Sequence, residues 1–273
     1  MNLTDSKRDF KDIKYILTSS MRTKLLISLY EKGKNLEQLR NDIPKPSATI
    51  LHGLKELENL SYVKKINKSY YLTSNGKLLA VNMIKLIENW FTIHKNETFW
   101  NTHDLDDLPK KAIRNIFLLK ESECIVSTNT DLTRSLNRYL KILSESETIK
   151  IILPICSETH LMYIEKLLKK DSLKEIEIIT SANILNSMNK IPKFRNILEN
   201  DKIKVMTLNK ELKVFLTCTD EYMTLSLFFK DNHFDDSQIL INKSKNGLKW
   251  GHNLFNHFEK QTLIQKCKEG ENG

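Results

Sequence analysis

Ser47, Ala48, Thr49, Leu51, His52 and Lys55 lie close together in the chain, and Lys64, Lys65 and Lys68 follow soon after. If the first set lies on a helix, its hydroxyl, imidazole and ammonium groups can meet base edges in the major groove of duplex DNA. The three later lysines would act differently. As point charges they neutralise phosphates and fix position without reading sequence. The competing reading of the same residues is a solvated amphipathic helix and an ordinary basic hairpin. Element order and local charge, set out below, favour the first.

Two further constellations could do chemistry. His94, His103 and Asp104 carry donor atoms suited to zinc or iron. They include no ligand pair at i and i+4 and no tetrahedral set, so no metal and no cofactor are expected. The plainer reading has Phe99 and Trp100 anchor a joint between domains while His103 or Asp104 caps the next turn. Thr128, Arg134, Tyr139, Asp220 and Trp250 are candidates for holding a small-molecule effector. Loops that leave the carboxyl ends of parallel strands line pockets in α/β domains. Thr128–Thr130 follow the first strand of the C-terminal half and Pro154–Ser157 the second. Each could equally be a turn, a cap or, for Trp250, part of the core. GxSxG, GxxxxGK[ST] and GxGxxG are all missing, and seven glycines leave little for a phosphate-cradling loop. No enzymatic activity is expected; a nucleotide- or phosphodiester-acting enzyme and an RNA-binding protein stay as alternatives.

The elements that must position these residues come from periodicity. Ile13, Ile16 and Leu17 form one helical stripe and Leu25, Leu26 and Leu29 another, with Ser19-Ser20 as a restart and Gly33 as a stop. A short helix capped by Asn35 follows, then a third from Pro46, a first-turn residue, to about 60. Ile50, Leu54 and Leu57 share the inner face of that helix; Ala48, His52, Lys55 and Asn59 share the outer. "YVKKI" and "YYLT", turning at Asn67-Lys68, make a hairpin. Three helices and a hairpin in this order are expected to fold as a winged helix-turn-helix over residues 1–75. A helix capped by Thr73 or Ser74 and apolar almost all round is expected over 76–97 to connect the domains and pair two copies of the chain. From Glu123 short apolar strands centred near Ile125, Ile152, Ile179 and Met206 recur every 27 residues with helices between. This alternation predicts an α/β domain over 98–273 with a largely parallel sheet. An antiparallel pair turning near Asp220-Glu221, a strand at "SQILIN" and a closing helix with Trp250, Leu254, Phe255 and Phe258 inward complete it. The arrangement is similar to phospholipase-D-like sheets. That chemistry needs an HxK motif, which the chain lacks.

Charge separates the two halves. The chain of 273 residues has a net charge of +9; residues 1–80 hold 15 Lys and Arg against 8 Asp and Glu, so +7 lies there. A basic first third on a near-neutral remainder suits an anion-binding module with a partner domain. Cys124, Cys156, Cys218 and Cys267 form no CxxC pair and are expected to be reduced and mostly buried. The N-terminus lacks the apolar run of a signal peptide, and the stretch from Leu78 to Ile93 is too polar to span a bilayer. A cytoplasmic protein is expected, with no membrane partner.

"PSATILHGLKELENLSYVKK…YYLTSNGKLLA" resembles the recognition helix and wing of many prokaryotic repressors. "FWNTHDLDDLP", "TCTDEYMTLSLFFKDNHFDDSQILI" and "LKWGHNLFNHF" are narrower signatures. Together they resemble the archaeal methanogenesis regulatory protein family over about residues 10–265. The resemblance implies a transcriptional regulator that binds double-stranded DNA, with a C-terminal domain that senses a small molecule and supports homodimerisation. Ala48, Leu51 and Gly53 stand where many recognition helices are polar, which leaves fewer hydrogen bonds to bases.

Overall fold

The computed structural model describes residues 14–270, and from residue 263 onward only the backbone. Ile13 and the Cys267 side chain therefore lie outside the described residues. The chain divides into two compact units, Met1–Glu88 and Asn89–Gly273.

In the first unit α1 (Ser20–Ser28) starts at Ser19, whose hydroxyl accepts from the Arg22 amide. β1 (Lys34–Asn35) is followed by α2 (Leu36–Asp42), closed by a reciprocal capping box between Asn35 and Gln38. α3 (Ser47–Asn59) follows with Pro46 at its N-cap, one position earlier than a first-turn proline. β2 (Val63–Ile66) and β3 (Ser69–Leu72) pair antiparallel, and β1 adds to β3, a third strand too short to register in the sequence. Leu25, Leu26, Leu39, Ile50, Leu54 and Leu57 make the centre of the core. Burying side chains of this size removes about 1.5–3 kcal/mol each of exposure cost. Two sequence expectations change. Leu17 is exposed, whereas Ile16 of the same stripe is buried. Gly33 does not stop α1, which ends with Leu29 as its cap. A Cβ at Gly33 would lie 2.0 Å from the Tyr71 ring, so the glycine leaves room for the ring where it now lies.

α4 (Ser74–Lys95) begins after Thr73, whose hydroxyl accepts from the Gly76 amide. The division between the units falls inside this helix.

The second unit opens with α5 (Glu97–Thr102), α6 (Lys110–Arg114) and a 3₁₀ turn over Ile116–Leu119. Next come β4 (Glu123–Val126), α7 (Arg134–Ser144), β5 (Thr148–Leu153) and α8 (Glu158–Leu168). β6 (Glu175–Ser181), α9 (Ala182–Asn189), α10 (Pro192–Leu198) and β7 (Ile203–Leu208) complete the alternating part. β8 (Val214–Thr219), β9 (Met223–Leu227), β10 (Gln238–Asn242) and α11 (Lys245–Gly270) close it. The seven strands run in the order β4-β10-β9-β8-β5-β6-β7. The sheet is mixed and not largely parallel: of its six neighbouring pairs only β5–β6 and β6–β7 are parallel. The late strands cause this. β8, β9 and β10 insert between β4 and β5, so β4 becomes an edge strand antiparallel to β10. The phospholipase-D-like reading rests on strand–helix alternation alone.

Side chains alternate across this sheet as a pleat requires. Ile152, Ile179, Leu216 and Leu225 face α11, with Trp250, Leu254, Phe255 and Phe258 inward as expected. Ile151, Ile178 and Phe215 face the other way, toward α7, α8 and α10. On the α11 side the buried Glu177 carboxylate meets Lys150 at 2.5 Å and Lys204 at 3.1 Å, which gives this charge its partners. Among the described residues no helix is long and apolar enough to cross a membrane. Of the three described cysteines only Cys218 is buried; Cys156 is exposed, because it sits in the loop after β5.

Candidate nucleic-acid interface and ligand cavity

The sequence of α3 sets which face it shows. Its inner residues pack on α1, and Gly53 is the point of closest approach: a Cβ there would lie 2.9 Å from Leu25 Cδ1 and 2.9 Å from Met21 Cγ. Gly53 therefore belongs to the packed side, not to the outer face where the sequence comparison with recognition helices set it. Arg22 ties the two helices further. Its Nη1 donates to Glu56 Oε2 at 2.8 Å, and its Nε donates to the Tyr15 carbonyl at 3.1 Å. The Tyr15 hydroxyl also donates to Glu56, and these bonds hold the Glu56 carboxyl below its ordinary range.

With that side fixed, Ala48, Thr49, Leu51, His52 and Lys55 are exposed and Ser47 is half-buried. His52 Nε2 lies 3.5 Å from Glu56 Oε1, one helical turn on, and its side chain is 76% exposed. On the hairpin Lys64, Lys65 and Lys68 are all exposed. Lys64 is opposite Tyr71 and Lys65 opposite Tyr70, so the two lysines point to different faces. Lys65 Nζ lies 5.4 Å from the centre of the Tyr70 ring. Asn67 takes a left-handed conformation (φ 56°) that lets the turn close. None of Lys55, Lys64, Lys65 and Lys68 has a carboxylate partner among the described residues. Two of this unit's carboxylates are paired elsewhere, Glu56 with Arg22 and Asp42 with Lys34.

Among the described residues no group of three or more histidine, cysteine or carboxylate side chains is placed to hold a metal ion, His94, His103 and Asp104 included. His94 stacks on Trp90 and bonds to its carbonyl. His103 is buried; its Nδ1 lies 2.6 Å from the Phe99 carbonyl and its Nε2 3.0 Å from Asp235 Oδ2. Burial pushes the Asp235 carboxyl up, but the bonds from His103 and Ser237 outweigh it and leave it below the usual range. Asp104 does cap a turn, accepting from the Asp106 amide. Phe99 and Trp100 sit in the core of the second unit.

The five effector candidates are scattered. Thr128 closes a tight turn with Asp131, and Arg134 is exposed at the first position of α7. Asp220 accepts from the amides of Glu147 and Thr148, so it fixes a turn. Burial pushes its carboxyl up, but the Thr148 hydroxyl and these amides outweigh that and leave it below the usual range. Trp250 is buried and its Nε1 donates to the Ala112 carbonyl at 3.0 Å. It backs a wide groove that also presents Lys111, Lys249 and Lys260.

Only Tyr139 lines the second unit's aromatic cavity, a space of about 280 Å³ beneath the starts of α7 and α8. Phe215 from β8 and Phe234 from the β9–β10 loop form its walls with Tyr139 and His160. Ring centres are 5.2 Å apart for His160–Phe215, 5.5 Å for Tyr139–Phe215 and 5.8 Å for Phe215–Phe234. The Tyr139 hydroxyl bonds to Thr217, and burial raises its pKa. Burial pushes His160 down to about 4. Its Nδ1 is 2.7 Å from the Ser157 hydroxyl, and Nε2 has no partner among the described residues. Sequence reasoning placed Pro154–Ser157 near a pocket but missed His160, Phe215 and Phe234. Their one available signal is weak: His160 follows the α8 N-cap by three residues, where it turns back toward the strand ends.

The chain thus joins a small basic unit with unpaired surface lysines to an α/β unit with an aromatic cavity. Its family follows from comparison. The N-terminal-domain model of the methanogenesis regulatory protein FilR1 matches residues 10–90 and its middle-domain model matches residues 132–261. The chain belongs to this archaeal methanogenesis regulatory protein family. It is 22% identical over 273 residues to the methanogenesis regulatory protein FilR1 of Methanothrix harundinacea (strain 6Ac). That alignment covers 98% of this chain and 60% of the relative, so the chain spans less than two thirds of the relative's length. Among solved structures it is similar to TrmBL2, an archaeal chromatin protein, at a TM-score of 0.40 and 14% identity, covering 91% of this chain and 95% of that one. It is also similar to the quinone-bound YodB of B. subtilis, at a TM-score of 0.29 and 20% identity, over 30% of this chain and 93% of that one. Likenesses this distant carry nothing about function.

Proposed function

We propose that the chain regulates transcription in the cytoplasm by binding duplex DNA through a winged helix. In this reading α3 enters the major groove, where Ser47, Ala48, Thr49, Leu51, His52 and Lys55 face the bases. The β2–β3 hairpin is the wing, and its lysines hold phosphates. One observation carries the reading: Lys55, Lys64, Lys65 and Lys68 are exposed and carry charge that no described carboxylate neutralises. An unpaired cluster of this kind is suited to a polyanion.

Two finer parts go with it. α4 pairs two copies of the chain. Leu78, Leu86, Trp90 and Ile93 are 66%, 56%, 59% and 43% exposed. At 3.6 residues per turn they fall within about 120° of its circumference. The C-terminal α/β domain, residues 98–273, senses a small molecule, and a ligand that prefers one conformation shifts the affinity for DNA by linkage.

The test is selection of bound duplexes from fragmented genomic DNA with the full chain at about physiological ionic strength. Enrichment of a shared sequence is expected. Equal or tighter binding to single-stranded RNA would put the chain in another class.

A further inference from the structure

We propose that the aromatic cavity under α7 and α8 takes an uncharged, flat, ring-containing ligand that bears one hydroxyl or carbonyl group. This rests on the reading of the second unit as a sensor and names what it senses by chemical class.

The walls come first. Tyr139, His160, Phe215 and Phe234 surround the space with ring centres 5.2–5.8 Å apart, tilted or edge-on to one another. Such rings offer faces and edges to another ring and little to a flexible polar chain. The volume, about 280 Å³, sits at the small end of ligand sites, which run from about 300 to 1,000 Å³. It suits one fused bicyclic system.

Charge narrows the class. No lysine or arginine is among the described residues that line the cavity. A carboxylate or phosphate would leave water without a counter-charge there. His160 supplies none, since burial keeps its ring neutral at ordinary pH. The single acidic lining residue, Asp236, is exposed at the rim. The first turns of α7 and α8 open on the same space, and their partial positive charge opposes a cationic ligand; it offsets part of the cost for an anion, which the 1-naphthoate arm below measures.

The polar handles are few. The Ser135 hydroxyl donates to the Asp236 carbonyl and the Ser226 hydroxyl to the Gln238 carbonyl, so both spend their protons inside the protein. His160 Nε2 makes no hydrogen bond among the described residues, and the Thr159 hydroxyl also lines the space. Leu132 lines the mouth and is 76% exposed, the most exposed of the large apolar side chains described; a seated ring would cover it.

The experiment uses one ring system with three charges: 1-naphthol, 1-naphthoate and 1-naphthylmethylamine. Each is titrated calorimetrically into the full chain at pH 7. Saturable binding of 1-naphthol at one site per chain is expected, at least tenfold tighter than either charged congener. Phe234→Ala should weaken it at least tenfold. Leu132→Glu changes only the exposed mouth, keeps the fold intact, and should also weaken it. Tighter binding of a charged congener, no binding of 1-naphthol at 5 mM, or an affinity unchanged from the native chain in both variants would overturn the assignment. A last arm separates it from the sensing reading. If 1-naphthol binds as expected and the affinity for selected genomic duplexes does not change, the ligand class stands and the sensing reading falls.

Discussion

The neutral imidazole at the cavity gives a prediction with a worked magnitude. Unfolded, His160 takes a proton near pH 6.5; folded, burial delays that to about 4. Between these values the unfolded chain binds more protons, so stability falls as pH falls. Above 6.5 the group has no effect, and below 4 the loss is complete. At pH 5 the unfolded imidazole is almost fully charged and the folded one almost fully neutral. The linkage loss relative to pH 7 is then about 2 kcal/mol, rising toward about 3 at lower pH. Carboxylates held low by their partners, such as Asp235, act in the same direction only as pH falls through their own lower range. His252 and His257 are also held low by burial and add to the slope. A comparison with His160→Gln isolates the one group. Trp90, Trp100 and Trp250 all lie in the second unit, so tryptophan fluorescence in urea follows that unit. Between pH 7 and pH 5 the native protein should lose about 2 kcal/mol more than the variant. Parallel stability curves would refute the burial argument, and with it a neutral His160 in the cavity wall.

Replacing Lys64, Lys65 and Lys68 together by Ala should flatten the salt dependence of DNA binding by about 2.7 units of slope. Raising salt from 50 to 200 mM would then cost the native protein about 40-fold more affinity than the variant, read by fluorescence anisotropy. His52→Ala should relax preference at one base-pair position by about 1–3 kcal/mol, measured against a panel of substituted duplexes; a loss equal on every duplex would show that α3 does not read bases. Leu86→Asp with Trp90→Asp should convert the chain from dimer to monomer in sedimentation at micromolar concentration. Asp235→Ala leaves the buried His103 Nε2 without its hydrogen-bond partner and should destabilise the second unit by about 1–3 kcal/mol, visible in the same urea titration.

The first unit was legible because each of its cues is local. Helical stripes, the Asn35 capping box and the Asn67 turn need only neighbours a few residues apart. The failures there involve distance. Leu17 fits a stripe and faces water. Gly33 and Gly53 look like a stop and a base-facing position, yet each leaves room for a side chain far along the chain, Tyr71 in one case and Leu25 with Met21 in the other. A glycine selected by close packing and one selected by backbone conformation are the same letter in the sequence.

The second unit shows the same limit at larger scale. Each strand was visible as an apolar run, but pairing order was not. A 27-residue recurrence fits a parallel sheet, and the insertion of β8, β9 and β10 beside β4 depends on contacts across more than a hundred residues. The cavity is built at that insertion. Phe215 and Ser226 can approach Tyr139 and His160 only because β8 and β9 lie between β4 and β5, on the face that α7 and α8 cover. Had β4 paired parallel with β5, α7 would cross one strand position, and no gap of this width would open beneath it. The residues that define the ligand's chemistry thus come from the elements whose order the sequence conceals. Arg134, Asp220 and Trp250 stood out because they are chemically conspicuous, and a lining of phenylalanine, serine and leucine does not.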